Sequence, residues 1–158
     1  MILASLCYIR HAGQTLMIHR VKRADDIHLG KWNGLGGKLE PGESPEECVI
    51  REVREESGLE PRQPRLCGLL MFPGFKGKEW CVFVYTARDF SGDLKENEEG
   101  YLEWIPDDQI ESLPLWPSDH IFLPWIRAGK FFSAKFDYDG DEMKDHSVAF
   151  YDQSDHLK

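Results

Sequence analysis

The chain has 158 residues, 41% hydrophobic and 12% aromatic, with a formal net charge of -9. Such a length and composition suit one compact domain over residues 1–158 with a substantial core, and the acidic balance excludes a general affinity for duplex nucleic acid, which needs a basic surface to displace counterions. No apolar stretch reaches the ~20 residues of a membrane span.

The N-terminal MILASLCYIR has no basic leader or small-residue cleavage site and stops at Arg10-His11, which reads as a first strand over Ile2 to Ile9. Alternating or branched apolar runs at Thr15 to His19, Leu66 to Phe72, Trp80 to Ala87 and Tyr101 to Ile105 predict further strands. They are separated by turn-rich stretches such as Pro73 to Lys78 and Ser91-Gly92-Asp93. Between them, Ser44-Pro45-Glu46-Glu47 combines an N-cap serine, proline at the first helical position and a glutamate placed to close a capping box. The helix that follows stops at Gly58, with Leu59 able to pack back on its last turn. A second helix is expected from Ser118 to Ala128, ending at Gly129, and FFSAKFDYDGDEMKDHSVAFY closes the chain as a hairpin about Asp139-Gly140. The picture is a mixed sheet flanked by two helices. Cys7, Cys48, Cys67 and Cys81 show no CxxC spacing, so they read as core thiols in a reducing cytoplasm and not as disulfides or zinc ligands.

The first helix carries an anomaly. Glu55 and Glu56 lie about 60° and 40° to either side of Glu52 around the helix, so three carboxylates share one face. Arg51 and Arg54 are nearby partners, and charge runs are usually solvated faces. Like charges at this spacing nevertheless cost a few tenths of a kcal/mol each in the open, and more in a cleft. A hard divalent cation would turn that cost into a gain, because it takes carboxylate oxygens and bridges phosphates.

Gly37, Glu43 and the run Arg51-Glu52-Val53-Arg54-Glu55-Glu56-Ser57-Gly58-Leu59 match the Nudix box, Gly-x5-Glu-x7-Arg-Glu-U-x-Glu-Glu-x-Gly-U, at every fixed position. By that motif the chain is identified as a member of the Nudix hydrolase family. The resemblance implies an α/β/α sandwich with a mixed sheet. It implies magnesium, or manganese, held by Glu52, Glu55 and Glu56 with the Gly37 carbonyl, and by one further acid for which Glu98 and Glu99 are the candidates. Arg51 would pair with Glu43 and hold the loop against the helix, and either Glu52 or Glu56 would act as the base. The reaction implied is attack of water on a phosphorus of a nucleoside diphosphate derivative.

The similarity extends to Lys31-Trp32-Asn33-Gly34-Leu35-Gly36-Gly37-Lys38 and to Leu115-Trp116-Pro117-Ser118-Asp119. There the chain resembles the MutT-type branch that hydrolyses 8-oxo-dGTP to the monophosphate and pyrophosphate. It implies substrate contacts from Asn33, Trp116, Asp119, Ser118 and Lys38, and a role in nucleotide-pool sanitation and DNA repair. Each position has a plainer reading: Trp32 and Trp116 as core aromatics, Asn33 as a turn residue, Ser118 or Asp119 as a helix cap. The vertebrate relatives carry two adjacent aspartates after Trp-Pro, and the first falls at Ser118 here, which replaces a titratable dyad by one carboxylate and a hydroxyl. Arg23 to His28 is expected to border the pocket, with His28 an exposed loop histidine. Two other functions share the box: a pyrophosphatase for a nucleotide sugar, ADP-ribose or a dinucleoside polyphosphate, and a non-catalytic nucleotide-binding module, against which the intact glutamates and Arg51 count. No heptad or other pairing signal sets an oligomeric state.

Overall fold

The computed structural model describes residues 1–152, so the expected extent to residue 158 falls, at 153–158, outside the described residues. The strands are β1 (Ile2–His11), β2 (Gln14–Arg20), β3 (Trp32–Asn33), β4 (Leu35–Lys38), β5 (Glu60–Arg62), β6 (Arg65–Phe75), β7 (Lys78–Ala87), β8 (Asp89–Ser91), β9 (Gly100–Pro106), β10 (Phe131–Asp139) and β11 (Glu142–Tyr151). The helices are α1 (Pro45–Ser57) and α2 (Pro117–Arg127), with a 3-10 turn over Asp107–Ser112.

The main sheet runs β11-β10-β6-β7-β1-β2-β3, with β4 added to β1 and β9 to β2, while β5 and β8 form a small separate ladder. It is mixed, because β1 runs parallel to β7 and β10 parallel to β6 among otherwise antiparallel neighbours. Alternation along β1 and β2 decides the layers. Cys7, Ile9, Leu16 and Ile18 point to one face, where Val49 and Val53 of α1 cover them together with Tyr85 and Leu59. Tyr8 and Met17 point to the other, where Phe122, Leu123 and Ile126 of α2 pack with Val84, Phe132 and Phe136. One helix on each face gives the expected α/β/α sandwich.

The start of α1 is formed as expected: the Ser44 hydroxyl accepts from Glu47 N and the Glu47 carboxylate accepts from Ser44 N, both at 3.1 Å. Gly58 closes it with φ 80°, and Leu59 is buried against the same core. Other expectations need correction. The stretch Pro73 to Lys78 is mostly strand: β6 runs on to Phe75 through an irregularity in its register with β7, and the turn itself is Lys76-Gly77, both at positive φ. The short strands β3, β4, β5 and β8 carry too few residues to show a period in the sequence. The α2 helix begins at Pro117 with Trp116 at the N-cap and no side-chain cap, so neither Ser118 nor Asp119 plays that part. Among the thiols, all of them free, Cys7 and Cys48 are buried, whereas Cys67 and Cys81 are only half-buried. Among the described residues, no helix is long and apolar enough to cross a membrane.

Candidate active site

The box residues lie on β4, the loop after it and α1. Arg51 is the hub. Its Nε and Nη2 donate to the two oxygens of Glu43 at 2.5 and 2.9 Å, and Nη2 also reaches the Lys38 carbonyl at 3.2 Å. Nη1 donates to Glu52 at 2.8 Å and Glu55 at 3.2 Å. This two-pronged contact holds the Glu43 carboxyl down to about 2 and raises the guanidinium in turn. Gly37 stands against Glu52 so closely that a Cβ there would overlap the carboxylate, with both oxygens at 2.6 Å. A side chain at 37 would be accommodated only by moving the Glu52 carboxylate, the far end of a flexible side chain.

Glu56 accepts from Gly36 N at 2.8 Å. Burial, reinforced by Glu52 and Glu99, pushes its carboxyl up to about 8 against that hydrogen bond. Burial also raises Glu52, with Glu55 and Glu43 adding to the rise and Arg51 opposing it. Glu55 lies further out, its side chain 58% exposed. Among the described residues no three acidic, histidine or cysteine side chains already converge as a cation cage. Arg51 accounts for part of that, since its Nη1 holds Glu52 and Glu55.

The loop before β9 separates the two candidates for the further acid. Glu99 lines the same cavity as Glu52 and Glu56 and is gripped by Arg20 at 2.6 Å, whereas Glu98 is exposed and outside the lining. Asn97, which no motif marks, organises this. Its amide donates to the Glu56 carbonyl at 2.9 Å, and its oxygen accepts from Glu99 N and Gly100 N at 2.6 and 3.1 Å. Arg20 also donates to Asp26 at 2.7 Å, tying the loop after β2 to the same cluster.

The cavity, of about 370 Å³, runs from Glu52, Glu56 and Glu99 to a second end at Trp116, Ser118 and Asp119, with Asn33 and Lys38 also in its wall. Asn33 sits in β3 opposite Ile18 and is no turn residue. Trp32 beside it is core, stacked on His19 at 4.4 Å and absent from the cavity wall. Lys38 holds its ammonium 5.6 Å from the Trp80 ring. Trp116 is buried, edge-on to Phe75 at 4.9 Å, with Lys31 and Lys76 over its ring at 4.9 and 5.4 Å.

His28 is not the exposed loop residue expected. It is half-buried in the cavity wall, and its Nδ1 accepts from the Trp116 indole N–H at 2.9 Å. Burial, with Arg20 and Lys76 nearby, lowers it to about 4 against the pull of Asp26, so the ring is neutral at pH 7 and can accept. Its neighbour Asp26 caps the turn by accepting from His28 N at 2.9 Å, the one local signal in the sequence for this placement. Behind Trp116, the Tyr138 hydroxyl donates to Ser118 Oγ at 2.9 Å and Ser118 Oγ donates to Asp119 at 3.1 Å. Burial pushes Asp119 up to about 7, with Ser118 and Lys31 pulling the other way. Tyr8, within electrostatic reach of Asp119, holds a buried hydroxyl with no hydrogen-bond partner among the described residues.

Comparisons with known proteins agree with this architecture. The profile of the NUDIX domain family matches residues 3–126. The chain is 33% identical over 129 residues to an uncharacterized Nudix hydrolase, YvcI, of Bacillus subtilis (strain 168), covering 78% of each. It is 34% identical over 121 residues to the oxidized purine nucleoside triphosphate hydrolase of Mus musculus, covering 75% of this chain and 78% of that one. The crystal structure of a MutT protein from Bacillus halodurans superposes with a TM-score of 0.83 at 30% identity, over 94% of this chain and 97% of that one. The chain belongs to the Nudix hydrolase family, enzymes that act on pyrophosphate bonds.

Proposed function

We propose that the cavity hydrolyses a modified purine nucleoside triphosphate, of the 8-oxo-dGTP kind, to the monophosphate and pyrophosphate, as a nucleotide-pool sanitising enzyme. One observation carries the reading: a single cavity joins a carboxylate end, Glu52, Glu56 and Glu99, to an aromatic and hydrogen-bonding end, Trp116, Asp119 and Asn33. A triphosphate and its base need those two chemistries side by side.

Nudix hydrolases in general need divalent metal ions. The residues fit one of the magnesium or manganese type. Glu52 and Glu56 are desolvated carboxylates, Glu52 adding to the rise at Glu56, and an all-oxygen donor set suits a hard cation. Glu52, Glu56 and Glu99, with Glu55 from the rim and the Gly37 carbonyl, would hold the ion. When bound, it lowers the proton affinity of water and offsets charge on phosphate oxygens. The rest falls to the chain's own groups. Glu56 or Glu52 takes a proton from the attacking water. Arg51 and Glu43 act as positioning residues that fix the loop and the orientation of Glu52. Lys38 sits in the wall as a cation for phosphate. At the other end Trp116 stacks on the base, while Asn33 and Asp119 read its edge. A protonated Asp119 donates and an ionised one accepts, which suits a lactam-altered purine.

The test is release of pyrophosphate and phosphate, as kcat/KM with magnesium, over dGTP, 8-oxo-dGTP, 2-hydroxy-dATP, methylated purine triphosphates, ADP-ribose and nucleotide sugars. Strong preference for one oxidised purine with pyrophosphate as product is the expected result. Preference for ADP-ribose or a nucleotide sugar would discard the base assignment and leave the family chemistry in place.

A further inference from the structure

A second concave region shares none of its lining residues with the cavity above. It is an open cleft of about 910 Å³ at the far ends of the same elements: Arg10 of β1 and Ile126 of α2 line it, where Ser5 and Asp119 line the first. Its charge is opposite to that of the chain as a whole. Arg10, Arg62, Arg65, Arg88 and Lys130 line it with only Asp89 and Asp152 among the acids, in a protein of net charge -9. Arg10 is occupied by Asp107 at 2.6 Å. Arg62, Arg65 and Arg88 are exposed and make no ion pair among the described residues.

The topology concentrates these arginines. Arg65 begins β6 opposite Thr86, Arg62 ends β5 opposite Asp89, and Arg88 is the single residue between β7 and β8. Three arginines at adjoining strand ends share the cleft with only two carboxylates, Asp89 and Asp152, which leaves an excess of positive charge there. Aromatic side chains line the same cleft. Phe131 and Tyr151 are paired across β10 and β11, and Phe150 is 45% exposed beside Lys130, whose ammonium lies 4.9 Å from its ring.

We propose that this cleft is a second, non-catalytic site for a nucleoside monophosphate or diphosphate, with the phosphate on Arg62, Arg65 and Arg88 and the base against the aromatic wall. Guanidinium forks match phosphate oxygens two at a time. The volume lies within the roughly 300–1,000 Å³ of small-molecule sites. A long polyanion is disfavoured, because phosphates beyond the cleft would run onto a surface of net negative charge.

The test is an amide NMR titration of the whole chain with adenosine monophosphate in the presence of a chelator. Shifts at Arg62, Gln63, Arg65, Arg88 and Lys130 are expected, and a loss of about tenfold or more in affinity in an R65E/R88E variant that keeps its Tm and its turnover at the first site. Should that variant fail to fold, Arg88→Gln carries the same readouts. Shifts confined to residues of the first cavity, or affinity unchanged in the variant, would overturn the proposal. So would pyrophosphate alone binding as tightly as the monophosphate, which would remove the aromatic half. A short oligodeoxynucleotide or an acidic peptide binding about tenfold tighter than the monophosphate would replace it with a macromolecular partner.

Discussion

The two ends of the first cavity are built in opposite ways. The carboxylate end comes mainly from one continuous segment, Gly36 to Glu56, pinned by a single arginine that touches Glu43, Glu52 and Glu55. The aromatic end is gathered from the loop after β2, the tip of β6, the start of α2 and β10, joined by the relays His28–Trp116 and Tyr138–Ser118–Asp119. A local design concentrates charge at fixed helical spacing, so it leaves a motif. A dispersed one places neutral or neutralised groups by tertiary packing, so the segments Lys31 to Lys38 and Leu115 to Asp119 mark only part of it and the contacts of His28 and Tyr138 leave no motif.

If the ends divide chemistry from recognition, the largest effect belongs to Glu56. Changing Glu56→Gln should lower kcat by about 10²- to 10⁴-fold with the melting temperature kept, as removal of a general base does, and a loss under about tenfold would move the base to Glu52. At the aromatic end the main consequence is on stability. Asp119 titrates at 3.8 unfolded and about 7 folded, so its contribution is complete below pH 3.8 and is lost as pH rises through 7. With chelator present, stability from this group should fall across that window by at most about 4 kcal/mol. Chemical denaturation of Asp119→Asn should show a flatter profile, and an identical slope would mean that Asp119 is ionised in the folded protein.

Next comes the spacing between β4 and α1. Gly37→Ala forces the Glu52 carboxylate aside, which should cost about 10²-fold in kcat, the usual result of an ångström-scale misplacement, with little change in KM. A KM effect alone would show that Gly37 serves binding. The smallest effect is expected from His28→Ala, which removes one hydrogen bond to Trp116. It should raise KM by about fivefold, near 1 kcal/mol, with kcat unchanged, and a fall in kcat instead would tie His28 to the chemistry.

What the sequence showed follows the same division. The Ser44 capping box, the Gly58 stop and the β1, β2 and β7 cores were readable because each depends on residues a few positions apart. The pairing of Arg51 with Glu43 was implied by the family motif, and the structure shows the contact. The placement of Glu99 in the cavity wall, with Glu98 outside it, was not readable, since it depends on Asn97 turning the backbone and Arg20 reaching from β2. His28 was misplaced because polarity alone marked it as exposed, and its burial is decided by Phe75 and Trp116, which arrive from distant parts of the chain. The continuation of β6 through Pro73-Gly74 was hidden by two residues that usually signal a turn; Gly74 is needed there because a Cβ would collide with the Tyr138 carbonyl.

The most direct measurement compares kcat/KM for 8-oxo-dGTP and dGTP in Glu56→Gln and Asp119→Ala. Separate ends predict that Glu56→Gln lowers both values by the same factor and keeps their ratio, while Asp119→Ala brings the ratio toward one and leaves turnover of the less favoured substrate nearly intact. A ratio altered by Glu56→Gln and untouched by Asp119→Ala would contradict the account.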